Sequence, residues 1–178
     1  MSGMIPVAGK GNKVLVLKRA STIEAAVEAY LANQKDISNW DECGYLAAVT
    51  PPTLTKEVNS ENYLNADDGF ADKSSGTKDA GDFTFQLGYA PARTEQQRLV
   101  DLFDEGNGER EKWWYAVLSP TEDPDKPVIN MYYGILSSLG TPNAVENSAH
   151  MKRDVTISLQ GRPKLAEDLL RQLAAVPE

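Results

Sequence analysis

Phe83-Thr84-Phe85-Gln86-Leu87-Gly88-Tyr89 places Phe83, Phe85, Leu87 and Tyr89 on one side of an extended chain and Thr84, Gln86 and Gly88 on the other. Strict period-two alternation of bulky apolar and polar residues marks a strand with one face on a core and the other in a polar setting. Pro91 ends the pattern. Met151 to Gln160 repeats it, with Val155, Ile157 and Leu159 opposed to Asp154, Thr156, Ser158 and Gln160. Outward from these two, Lys13–Arg19, Gly44–Val49, Thr53–Val58, Lys112–Ser119 and Val128–Leu139 read as further strands. Three stretches have helical spacing instead. Ile23 to Leu31 follows a Ser21 or Thr22 cap, and a helix opened by Pro163 carries Leu165, Leu169, Leu170 and Leu173. Between them, Thr94-Glu95-Gln96-Gln97 has the form of a capping box. It introduces a helix over Glu95 to Glu105 with Leu99, Leu102 and Phe103 as its apolar stripe and Gly106 as its stop. That stripe is expected to bury against Phe83, Phe85 and Leu87. The order predicts a mainly β fold: an antiparallel β-sandwich or barrel with a flanking α-helix.

The expected organisation is an N-terminal arm over residues 1–12, a β-domain over 13–162, and a C-terminal helix and tail over 163–178. Within the domain, Asn59 to Gly81 reads as a long polar loop. From Glu57 to Asp82 there are seven acidic residues against Lys73 and Lys78. The 178-residue chain holds 18 Lys plus Arg and 26 Asp plus Glu, a net charge of −8. Such a balance argues against a tight grip on nucleic acid, which needs cations to displace phosphate counterions. No apolar run approaches the roughly 20 residues of a membrane span, and the first residues lack the basic and apolar regions of a secretory signal. One cysteine, Cys43, excludes an internal disulfide.

Chemistry-bearing patterns are sparse. His150 is the single histidine, and without it no Ser-His-Asp arrangement is available. Cys43 sits in Trp40-Asp41-Glu42-Cys43-Gly44, with no basic neighbour to lower its pKa, and reads as a core residue. Asn65-Ala66-Asp67-Asp68-Gly69 fails as a calcium loop, because Leu64 and Ala66 stand where ligating carboxylates belong. Gly9-Lys10-Gly11 lacks the P-loop spacing. Trp113-Trp114-Tyr115 fits a core or subunit interface better than a stacking site. The residues therefore predict no catalysis, no metal and no cofactor.

Several ordered stretches resemble one family. They are Thr50-Pro51-Pro52-Thr53-Leu54-Thr55; the acidic segment from Asp67-Asp68-Gly69 to Ala80-Gly81-Asp82; Phe83-Thr84-Phe85-Gln86-Leu87; Gln96-Gln97 through Leu102-Phe103-Asp104-Glu105-Gly106; Gly134-Ile135-Leu136-Ser137-Ser138-Leu139-Gly140; and Arg153 to Gly161-Arg162-Pro163 with Ala166-Glu167-Asp168. From Thr50 to Asp168 the chain resembles the major tail tube proteins of lambda-like siphophages. The Ser119–Pro127 region departs from the pattern by lengthening a hairpin. The resemblance implies a structural protein of the virion, assembled in the bacterial cytoplasm. Self-associated hexameric rings would close their inner strands into one β-barrel and stack into a tube that conducts DNA. Tape measure and tail terminator or tip proteins are the implied partners. Type VI secretion tube proteins are the nearest alternative. A small ligand-binding β-sandwich using the Trp113–Tyr115 aromatics, or a hydrolase using His150, are readings from other classes.

Within that frame, strand alternation assigns Thr84, Gln86, Asp154, Thr156, Ser158 and Gln160 to the lumen. Ile5, Val7, Lys10 and Lys13 of the arm, with Asp67, Asp68, Lys73 and Lys78 of the long loop, are the residues expected at contacts between rings. A DNA conduit gains nothing from cations that hold phosphates, so a neutral or acidic polar wall suits it.

Overall fold

The computed structural model describes residues 10–61, 69–105, 111–142 and 150–175. Nine strands and three helices lie within them. Strand β1 (Lys13–Leu17) leads to α1 (Ile23–Ala32), whose N-cap Thr22 accepts from the Ala25 N–H. There follow β2 (Trp40–Cys43), β3 (Leu46–Thr50), β4 (Thr55–Glu61), β5 (Asp72–Asp79) and β6 (Asp82–Gly88). The remainder is α2 (Thr94–Asp104), β7 (Lys112–Ser119), β8 (Val128–Leu139), β9 (Lys152–Leu159) and α3 (Ala166–Ala175). Seven strands form one antiparallel sheet in the order β2-β1-β7-β8-β9-β6-β3, and β4 and β5 pair separately. The mainly β, antiparallel fold expected from alternation is the one observed.

The sheet is curled, and its topology alone requires this. Laid flat, seven strands at ~4.8 Å spacing would put the β2 and β3 edges about 29 Å apart. Yet only Gly44 and Tyr45 join them, and three peptide steps reach at most about 11 Å. The edges must therefore come back together at this corner. Tyr45 turns it with a φ of 62°, a left-handed conformation uncommon outside glycine.

Curling gives the sheet an inside and an outside. The inside holds Val14, Val16, Cys43, Phe83, Phe85, Leu87, Tyr115, Val117, Tyr132, Leu136, Val155 and Ile157, and α2 closes it with Leu99 and Leu102. Two polar residues fix α2 to opposite ends of the curl. The buried Gln96 donates to the Gly88 carbonyl (2.6 Å) and accepts from the Ala90 N–H (3.1 Å). Arg98 pairs with Asp41 on β2 (2.7 Å) and donates to the Leu17 carbonyl on β1. The Trp113 indole N–H donates to that same carbonyl at 2.7 Å. On the outside of β1, β7 and the first half of β8, a second cluster seats α1 and α3 through Ile23, Ala26, Tyr30 and Leu169 against Leu15, Leu17, Ala116, Ile129 and Met131.

Three local expectations are corrected, and one strand was missed. Phe103 is 48% exposed and is not part of the stripe; Gln96 takes the third buried position beside Leu99 and Leu102. The α2 N-cap is Arg93, with no side-chain cap bond, so Thr94 begins the helix rather than boxing it. Strand β2 escapes the sequence because Asp41 and Glu42 interrupt its apolar pattern. Within the expected long loop over 59–81, β4 runs to Glu61 and β5 fills Asp72–Asp79, so its described ends pair as a hairpin. Both hairpin faces are exposed, so no apolar alternation marks it.

Candidate functional site: a polar sheet face between two free strand edges

The outer surface of β3, β6, β9 and the second half of β8 is covered by no described helix. Ladder register builds it from facing pairs: Thr50 opposite Thr84, Thr84 opposite Thr156, Gln86 opposite Asp154, and Asp82 opposite Ser158. The structure thus brings together five of the six residues assigned to the lumen. Gln86 Nε2 donates to Asp154 Oδ1 at 2.8 Å. The sixth, Gln160, lies just past β9, exposed, with its N–H donated to the Tyr133 carbonyl (2.8 Å). It borders a crevice of about 670 Å³ between the strand end and the base of the β4–β5 hairpin.

Sequence reading missed Ser137 and Ser138. The β8–β9 register shifts between Leu136 and Ser138, a bulge that turns two consecutive residues to the same face. Ser137 Oγ donates to the Thr156 carbonyl, and Ser158 Oγ lies 3.2 Å from Ser137 Oγ. A Ser-Ser pair interrupting an otherwise alternating strand is the signal that could have found it. Nearby, Gly134 allows β8 to approach β9: a Cβ there would overlap the Ser158 carbonyl oxygen and stand 2.9 Å from Leu159 Cα.

Two edges flank this face. Among the described residues, β3 pairs with β6 on one side only. β8 pairs with β7 up to Ile135, so Leu136–Leu139 bonds only β9 among the described residues. Exposed ladder edges are ready-made templates for another chain.

The residues expected between rings divide differently. Ile5, Val7, Asp67 and Asp68 lie outside the described residues, as do residues 1–9 of the arm. Lys10 sits exposed in a turn, and Lys13 opens β1 in an exposed ion pair with Glu42 (3.3 Å). Lys73 and Lys78 are exposed on β5. His150 is exposed beside β9. Cys43 is a free, buried thiol; burial, aided by the Glu95 and Asp41 carboxylates, pushes its pKa up to about 12. Tyr115 and Trp113 pack into the core, and Trp114 stacks near Tyr133 at 5.0 Å. Among the described residues, no three His, Cys, Asp or Glu side chains are grouped to hold a metal ion, and no helix is long and apolar enough to cross a membrane.

Among the described residues, the curled antiparallel sheet thus has an uncovered polar face flanked by two open edges. The lambda phage tail tube protein family model matches residues 23–166, and the chain belongs to that family. It is thus a structural component of a phage tail, and the match extends the resemblance upstream of Thr50 through α1. Solved structures share the fold at low identity. One is the anti-feeding prophage baseplate, 6-fold symmetrised (TM-score 0.62, 9% identity, covering 92% of this chain and 98% of that one). Another is the tail of an empty gene transfer agent particle with C6 symmetry (0.57, 12%, 89% and 97%). A third is the SPP1 tail tube (0.55, 11%, 97% and 88%). No curated protein sequence matches the chain.

Proposed function

We propose that this chain assembles into hexameric rings that stack as the tail tube, with the β8–β9–β6–β3 face as the lumen wall. The observation that carries the reading is the polar face lying between two unpaired edges. The six-fold symmetry of similar structures supports the ring size. In this reading, β3 of one copy pairs with Leu136–Leu139 of the next. Three antiparallel steps separate β8 from β3, so the two run in opposite directions, and joining them keeps the whole barrel antiparallel. Closure removes both edges.

The wall would carry Thr84, Gln86, Ser137, Ser138, Asp154, Thr156 and Ser158, with Lys152, opposite Gly88 at the start of β9, as the cation sharing this face. Elsewhere on the face DNA would pass over hydroxyls, amides and carboxylates that do not hold its phosphates. The β4–β5 hairpin and the arm over residues 1–12 are the elements proposed to link rings. Tape measure and tail terminator or tip proteins are the proposed partners, and the role is structural rather than enzymatic. Negative-stain microscopy of the purified protein at high concentration tests the reading. Stacked rings or tubes support it, and compact monomers alone would overturn it.

A further inference from the structure

The β4–β5 hairpin is two-faced in charge. Opposed residues of an antiparallel ladder share a face, and the pairs here are Lys56 with Lys78, Val58 with Ser75, Ser60 with Lys73, and Glu61 with Asp72. One face therefore presents Lys56, Lys73 and Lys78 around Val58, which is 58% exposed. The other presents Glu61, Asp72 and Asp79, together with Glu57, whose side chain lies over Gly76: a Cβ there would meet Glu57 Oε2 at 2.9 Å. Cations and carboxylates are fully segregated by face.

This arrangement works against the hairpin on its own. Lys56 stands directly opposite Lys78, and Glu61 directly opposite Asp72; like charges in such positions repel. A two-stranded ribbon with both faces in water is marginal even without that repulsion. The same segregation favours a repeating contact, since each copy offers both signs and the basic face of one complements the acidic face of another. We infer that the hairpin docks face to face on the hairpin of a second copy, the lysine face on the carboxylate face, in a head-to-tail contact that repeats through the assembly. This rests on the tube reading and adds its partner surface and polarity.

The test uses two triple variants of the full chain, Lys56→Glu/Lys73→Glu/Lys78→Glu and Glu57→Lys/Glu61→Lys/Asp72→Lys. Each keeps the like-charged cross-strand pairs, so melting temperatures should stay close to wild type. Alone, each should yield at least tenfold less sedimentable polymer than wild type; mixed one to one, they should recover polymer to within twofold. Wild-type assembly should also weaken as salt rises, because screening acts on exposed charges. Either variant polymerising like wild type, or folded variants failing to rescue each other, overturns the inference while the tube reading stands. A wild-type chain that never polymerises removes the tube reading and the inference with it.

Discussion

Gln86 on β6 and Asp154 on β9 face each other across the ladder and join side chains at 2.8 Å, on a sheet face that no described helix covers. The two residues beyond Asp154 on that face, Thr156 and Ser158, are half-buried and bordered by β-strands only. Thr156→Lys/Ser158→Lys should therefore leave the subunit folded and the tubes intact. DNA passage should slow, because every ring gains cations that hold phosphates. Ejection kinetics of phage carrying such tubes provide the measurement; unchanged kinetics would move the lumen elsewhere.

Leu99 and Phe103 are one helical turn apart on α2 but have different surroundings: the first is fully buried, the second 48% exposed. Leu99→Ala should cost about 2–5 kcal/mol. Phe103→Ala should stay within about 0.5 kcal/mol in the isolated subunit. Thermal or urea unfolding of the pair reads this directly, and equal losses would contradict the placement of α2.

Gln96→Ala deletes the side chain that satisfies both the Gly88 carbonyl and the Ala90 N–H. Each orphaned group costs about 1–3 kcal/mol. The loss should exceed that of any exposed α2 substitution, and Gln96→Glu should not restore it, since a carboxylate cannot donate to the Gly88 carbonyl.

Gly134→Ala forces a methyl into the Ser158 carbonyl, which is backbone and cannot rotate away. Overpacking of this kind typically costs about 1–3 kcal/mol. A melting temperature equal to wild type would mean the two strands are further apart than described.

Alkaline pH should destabilise the subunit in a defined order. Burial raises the Cys43 thiol to about 12 and the Tyr132 phenol to about 12, and raises Tyr115 as well. Each protonated form is favoured in the folded state, so its contribution is complete below the group's ordinary pKa. It is then lost as pH rises, from about 9 for the thiol and 10 for the phenols, at up to ~1.4 kcal/mol per pH unit for each group. Melting temperatures from pH 8 to 11 should fall from about pH 9, and Cys43→Ala should delay that onset by about one unit.

Residue order alone determined the strand faces. Alternation in 83–89 and 151–160 requires that Phe85 and Val155 share one side and Gln86 and Asp154 the other, because a strand's period is two whatever surrounds it. The same rule put six residues on the polar side, and the structure brings five of them together on one face. What period two cannot carry is curvature, coverage or partnership. The curl follows from a two-residue link between opposite edges, visible only once the strand order is known. The Ser137–Ser138 bulge breaks the period locally, and Phe103 lost its expected burial because Gln96 and Arg98 set the rotation of α2 through bonds to distant strands. Strand β4 was legible only as far as Val58, and its partner β5 not at all, because neither face of their hairpin is buried within the subunit. Which of the hairpin's charges share a side depends on the ladder register, and pairing across space decides that register.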